Sequence, residues 1–591
     1  MRVNTIVKAA LPVVSSLILA GCKLTDPPPF DPQAIEQIQR HAAEQVPARP
    51  MQRMPTTFEA SITQQGTAAP QRPIRDSRIP VGGHLRMGLQ DVVHRAVANN
   101  AASRVAAFQA AIDEARTLEA EARFDPSVFS SLIFQNQNRN ITAPGQVFDF
   151  REVRGLTGAV GIRQTLTTGG QAEVRYQSSR NKVIDQDPLA AGGEDPDDPF
   201  YENELVAQIT QPLLRDFGDD VNQARITIAR NDFRISALEW RQELERVLAE
   251  IEQTYWQLWL AQRNVEIGEQ FLRDTERTED ILIKRLGQDT SRVQVSQARE
   301  QVERAAADLE ERRGQVLNLS DDLKRLMNDP DLPVVGPEVI VPTDAPTDDA
   351  ILMSLPDQVE TGLQNRYELM QQKLRIENAD VVVDAAQDNL QPVLNLTGSV
   401  GVLGQGRDFD SAFNRQTNTD IINWAIGLEF EVPIGNRAAR AIYHRTLLQR
   451  LQAIEEFRGL SDQIQAEVKQ AYDNVATTWN RMVAARRQFF AAEDFLDALR
   501  ARERAGQELS PEFVNRILQA EELVSIARQR LAQSIASYNI SLAVLERAKG
   551  TLLRYNQVAL REDPTPVPGG GEWQRLDIKK PDLRFWRRDK R

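Results

Sequence analysis

Side chains able to do covalent chemistry are few in this chain of 591 residues. His41, His84, His94 and His444 are scattered and show no metal-ligand spacing. Gly401, Gly404 and Gly406 read as a loop after a strand, with no helix opening on them, so they offer no phosphate cradle. No Gly-x-Ser-x-Gly occurs, and the net charge of −13 gives no reason to expect nucleic-acid binding. The sequence therefore predicts neither an enzyme nor a cofactor or metal protein. What remains is chemistry of charge and of acylation. Glu429 and Glu431 alternate on a strand, Asp289, Glu508 and Glu512 lie beside two tight turns, and Cys22 is the single cysteine.

The place of Cys22 gives the thiol its role. Arg2 and Lys8 precede an apolar run from Ala9 to Ala20, which reads as a secretory signal peptide over residues 1–21. Leu19-Ala20-Gly21-Cys22 resembles a bacterial lipobox, which would make Cys22 the acylated, palmitate-bearing first residue of the mature protein. Lys23 follows, rather than the Asp of inner-membrane retention, so that resemblance implies the outer membrane. One acylated cysteine anchors firmly only beside further chains or a second membrane contact. Residues 22–80 are rich in Pro, Gln and Ala, lack periodicity and read as a lipidated linker.

The acids near the turns are positioned by four ladders of apolar residues seven apart. The first two are Leu244, Ile251, Leu258, Val265, Leu272 and Val295, Val302, Leu309, Val316, Leu323. The other two are Val468, Val475, Met482, Phe489, Leu496 and Ile517, Val524, Leu531, Tyr538, Leu545. Seven-residue spacing is a coiled-coil seam. Each pair breaks once, at Gly287-Gln288 and at Gly506-Gln507, where Gly suits a helix C-terminus and Pro511 suits the start of the next helix. The run from Asp219 to Lys284 is 65 steps, roughly 100 Å of helix. Each half is thus a long helix, a tight turn and a long helix back.

The halves are repeats. Asn99 and Asn365 are 266 apart (365 − 99), as are Pro126 and Pro392 (392 − 126). A first helix is predicted from Asp91 to Arg123 and its repeat from Asp357 to Pro392. After each Pro the pattern changes to period two, the strand signal. Ile422, Trp424, Ile426, Leu428 and Phe430 oppose Asn423, Ala425, Gly427, Glu429 and Glu431. Four such stretches occur in the first half, Ser127 to Asn136, Leu156 to Leu166, Gln171 to Ser179 and Glu204 to Pro212; the second half has two. Apolar-out, polar-in strands of about ten residues mark a transmembrane β-barrel. The organisation is a signal peptide (1–21), linker (22–80), first repeat (81–328), Pro- and Asp-rich connector (329–356), second repeat (357–560) and tail (561–591).

With these features in order, the chain resembles the TolC-like outer membrane efflux protein family. The matching pieces are Ala98-Asn99-Asn100, Pro126, Gln211-Pro212-Leu213-Leu214, Val432-Pro433-Ile434-Gly435-Asn436, the two turns and the tandem repeat. The resemblance implies an α+β membrane protein and a homotrimer. Long hairpins would form a periplasmic helical barrel, and strands of all protomers would form a transmembrane β-barrel. It further implies a periplasmic adaptor (membrane fusion) protein and an inner-membrane pump of RND or ABC type as partners. The turns at Gly287, Gln288, Gly506 and Gln507 would dock the adaptor, with Asp289, Glu508 and Glu512 as candidate gating acids. Glu429 and Glu431 would face the lumen. The family usually has two strands per repeat, so the stretch from Leu156 to Ser179 is expected as an extra barrel hairpin. The competing reading is a structural periplasmic coiled-coil lipoprotein, a tether or scaffold.

Overall fold

The computed structural model describes residues 83–139, 151–185, 199–288, 290–418, 422–505 and 510–558. Cys22, the signal peptide and the tail lie outside them, as do Asp289, Gly506, Gln507 and Glu508. The described chain forms two compact units, one of strands (124–217 and 392–432) and one mainly of helices (83–123, 218–391 and 433–558).

The strand unit is one antiparallel sheet in the order β2-β3-β4-β5-β7-β8. These are Ser127–Arg139, Arg151–Thr165, Gln171–Asp185, Phe200–Pro212, Val393–Gly406 and Ile422–Glu431. The expected extra hairpin is β3–β4 and sits between β2 and β5. Its turn at Thr167–Thr168 is closed by Leu166 N donating to Gly170 O (2.7 Å), with Gly169 at φ +90°. Gln211 braces the turn, accepting from Thr168 Oγ1 (3.0 Å) and donating to Thr168 O (3.1 Å). β3, β4 and β5 extend beyond the alternating stretches, because ladder bonds continue into polar residues that carry no face signal.

One expectation fails here. Gly404 and Gly406 belong to β7, not to a loop, and a helix, Phe409–Asn418, does follow them. A Cβ on Gly404 would collide with Ala412 and Gln416, and one on Gly406 with Ser411 and Ala412. The glycines let that helix lie directly on the strand.

In the helical unit, α1 (Leu89–Asn99) and α2 (Ala101–Glu121) replace the single helix expected from Asp91 to Arg123. Asn100 breaks it: its side chain accepts from Ser103 N (3.1 Å) and donates to Leu326 O (2.7 Å), a cap instead of an interior residue. The repeat breaks at the matching place, Arg366, between α6 (Leu355–Asn365) and α7 (Tyr367–Asp388). There the guanidinium donates to Ala548 O (3.1 Å) and pairs with Glu368 and Glu467 (both 2.9 Å). A short helix α3 (Asp219–Asn222) precedes α4 (Ala224–Lys284), which runs into α5 (Arg292–Met327). With α8 as the helix at Phe409–Asn418, the second hairpin is α9 (Arg437–Arg504) and α10 (Pro511–Ala548), followed by a short α11 (Leu552–Tyr555). Leu244, Ile251, Leu258, Val302, Leu309 and Leu323 are buried, as are Val468, Val475 and Met482, so the ladders are seams. The connector is more ordered than its Pro and Asp content suggested. Within it β6 (Val339–Pro342) pairs in parallel with β1 (His84–Met87), and Tyr255 Oη donates to Asp344 Oδ2 at 2.8 Å.

Candidate functional site

Register separates the sheet into two chemically different faces. Val160 pairs with Tyr176, Tyr176 with Leu205, Leu205 with Val402, and Val400 with Trp424. Paired residues point the same way, so one face carries Val128, Leu132, Phe134, Val160, Ile162, Leu205, Ile209, Val400, Trp424, Ile426, Leu428 and Phe430. These side chains are exposed, Leu132 at 76% and Trp424 at 73%. An apolar face across six strands is far larger than the patches of a water-soluble monomer. No helix among the described residues is long and apolar enough to cross a membrane.

The opposite face is polar. Arg163 and Arg175 each approach Glu173 at 3.5 Å, and the Arg163 guanidinium lies 4.8 Å from the centre of the Phe129 ring. Glu429 pairs with Asn395 and Glu431 with Val393, both on this polar side and both exposed. The two acids therefore sit opposite Trp424, Leu428 and Phe430, as the alternation predicted.

The ends of both long hairpins meet in a second apolar cluster. Leu282 and Ala298 of the first hairpin pack with Leu496, Leu499, Phe513, Val514 and Ile517 of the second. Gly287 turns the first hairpin at φ +87°, with Gln288 N donating to Arg285 O (3.0 Å). Ser291 caps α5 in a reciprocal box with Gln294. Ser510 caps α10, accepting from Phe513 N (3.3 Å), with Pro511 next and Glu512 exposed in the first turn.

Just behind these turns lies a polar cluster that the sequence reading missed. Glu521 is buried between the hairpins. It accepts from Thr278 Oγ1 (2.8 Å), and Arg500 reaches both Glu521 (3.4 Å) and Asp274 (3.3 Å). Burial pushes the Glu521 carboxyl up to about 7, against Thr278 and Arg500, which favour its charged form. The available signal was an acid four residues after Ile517 and three before Val524, inside the seam.

Residues 359–551 match the model of the outer membrane efflux protein family. No curated protein matches the chain. Among solved structures, an outer membrane channel CmeC of Campylobacter jejuni is similar at 16% identity and TM-score 0.55, covering 78% of this chain and 86% of that one. The outer membrane protein VceC of Vibrio cholerae is similar at 17% identity and TM-score 0.54, covering 78% and 96%. The open-state MtrE outer membrane channel of Neisseria gonorrhoeae is similar at 15% and 0.54, covering 78% and 89%. Residues in the second half of the chain thus match the outer membrane efflux protein family, and 78% of the chain shares the fold of these solved structures.

Proposed function

We propose that the chain is the outer-membrane channel of a tripartite efflux or secretion system, a passive duct from periplasm to exterior without covalent chemistry. The observation that supports it is the two-faced sheet: exposed Trp424, Leu428 and Phe430 on one side, Glu429 and Glu431 on the other. Lipid satisfies the first face and a water-filled lumen the second. The tether or scaffold reading leaves that apolar face without a role.

Among the described residues, β2 and β8 each have a strand neighbour on one side only. A membrane-spanning sheet cannot leave edges open in hydrocarbon. Copies of the same chain close it when β8 of one pairs with β2 of the next, a head-to-tail ring. In a homotrimer six strands per copy give eighteen in the barrel. In this reading Cys22 carries the lipid that holds each copy at the outer membrane. The turns at Gly287 and Gly506 meet the periplasmic adaptor, which links the duct to an inner-membrane pump. Asp289, Glu508 and Glu512 then stand at the periplasmic mouth.

The test is detergent extraction of the full chain followed by gel migration with and without heating, and conductance in planar bilayers. A heat-sensitive trimer with steady conductance is expected. Release of the protein from the membrane fraction by Cys22→Ser alone would mean that no barrel holds it.

A further inference from the structure

Helix α8 has no counterpart in a plain strand-to-strand connection, and the face on which it lies is set by register. It rests on Gly404 and Gly406, which share a face with Val400 and Val402 because all four are even-numbered in one strand. That is the face of Leu205 and Trp424. The helix is thus outside the barrel and does not plug its lumen. Asn203, paired with Gly404, is 0% exposed while Leu205, two residues along on that face, is exposed, as expected for a residue beneath the helix. Gln416 Nε2 donates to Val402 O (3.1 Å), and Arg415 donates to Gln405 O (2.9 Å), fixing α8 to β7.

The sheet end that carries α8 is also fixed. The strands join the helical unit at Ser127, Pro212, Val393 and Glu431, and register places all four at one end. Helix α8 lies at the other end, beside Tyr201 and Gly406. It is amphipathic. Ala412 and Gln416 seat it, and Asp410, Asn414 and Thr417 form its polar side. Between these sides Phe409 and Phe413 stack on each other, ring centres 6.2 Å apart and planes 14° apart, yet remain 45% and 44% exposed. An ordered aromatic pair left open at the end of an apolar band needs an apolar neighbour.

We propose that α8 is a membrane-surface helix, with Phe409 and Phe413 seated among the lipids of the outer leaflet at the rim of the barrel. Lipid is the occupant because the pair continues the apolar face that the channel reading already gives to the bilayer. Amphipathic interfacial helices immerse their apolar side about 5–10 Å, the depth suited to a girdle position. The inference rests on the channel reading.

The test is a nitroxide attached to cysteines introduced singly at Phe413, Asn414, Leu428 and Glu429. The full chain is used in vesicles of outer-membrane lipid, and a sample without an added cysteine corrects for label at Cys22. Collision rates with oxygen, which partitions into lipid, and with a water-soluble nickel chelate are then compared. The expected ratio at 413 follows that at 428, and the ratio at 414 follows that at 429. Chelate access at 413 equal to that at 414, with 428 still in lipid, overturns the surface helix and leaves the channel standing. So does a label at 413 shielded from both reagents, which would mean a contact between copies. Chelate access at 428 overturns the channel reading and this inference with it.

Discussion

Thr278 Oγ1 donates to Glu521 Oε1 at 2.8 Å, so a residue of the first long hairpin holds a buried acid of the second. The acid's other oxygen, Oε2, is buried without a partner. Its carboxyl is raised to about 7 by burial, so the folded protein holds a proton that the unfolded chain releases at ordinary carboxyl pKa. Stability from this group is therefore complete at low pH and is lost as pH rises from about 4.5 to about 7, by at most about 3 kcal/mol. Glu521→Gln keeps an acceptor for Thr278 and removes the charge. Thermal unfolding between pH 5 and pH 8 should flatten in this variant relative to the parent. An unchanged slope would place the pH dependence elsewhere.

Two further buried acids hold the end of the helical unit. Glu245 is buried there, near the backbone of Leu552 and Leu553, and Glu252 accepts from Asn556 Nδ2 at 2.5 Å. Burial raises both to about 7. Leu552 and Leu553 complete the main core with Leu248 and Ile251. Ending the chain at Gly550 should cost several kcal/mol, since each buried Leu contributes about 1.5–3 kcal/mol and Glu252 loses its Asn556 donor. Ending it at Val558 keeps Leu552, Leu553 and Asn556 in place and is the control for the shorter chain.

Long periods were legible in the sequence, and short polar choices were not. The Leu244–Ile251–Leu258 ladder and the Asn99–Asn365 offset follow from repetition over many residues, and the offset returns in α1 and α6, whose ends are each 266 apart (355 − 89 and 365 − 99). Alternation placed Glu429 opposite Trp424 because one face needed an apolar surrounding. The break at Asn100 was hidden because one amide's bond to Leu326 outweighs helix periodicity. β6 was hidden because only four residues make it, and α8 because glycine was read as a loop former when here it admits a close neighbour. Glu521 was passed over because a heptad count registers apolar residues and not the acid between them.

Thr168 tests the strand topology. Its turn lies at the sheet end where Pro212 and Val393 lead into helices, since Gln171 pairs with Thr210 and Pro212 with Asn395. In the channel reading that end faces the periplasm. A cysteine at Thr168 should stay unlabelled by an impermeant reagent on intact cells and react once the outer membrane is opened. Labelling from outside would remove β3–β4 from the barrel.

Gly287 tests the docking turn. At φ +87° a β-branched side chain costs about 1–2 kcal/mol, and nothing lies within 4 Å of its Cβ position, so the cost is backbone strain and not collision. Gly287→Val combined with Gly506→Val should abolish export and adaptor cross-linking while the trimer and its membrane level stay intact. Unimpaired export would show that the turns do not need this shape.

Glu429 and Glu431 test the lumen. They lie on the polar face, paired with Asn395 and Val393, and three copies would place six carboxylates around the duct near the end where β8 leads into α9. Such a ring concentrates cations and repels anions, more so at low salt, where screening reaches farther. Arg163 and Arg175 on the same face approach Glu173 farther along the sheet, at the level of Ser399 and beyond, so the acids at 429 and 431 set the sign at their own level, beside Asn395 and Val393. Replacing both with Lys should reverse the cation-over-anion preference measured from reversal potentials across a salt gradient, while Leu428→Ala on the other face should leave it unchanged. The reversal should be largest at low ionic strength and shrink at about 1 M salt, where the screening length falls to about 3 Å. A preference that does not move in the double variant would mean either that β8 turns its other face to the lumen or that ions do not pass this face of the sheet. A label at Glu429, accessible to the nickel chelate or not, tells these two apart.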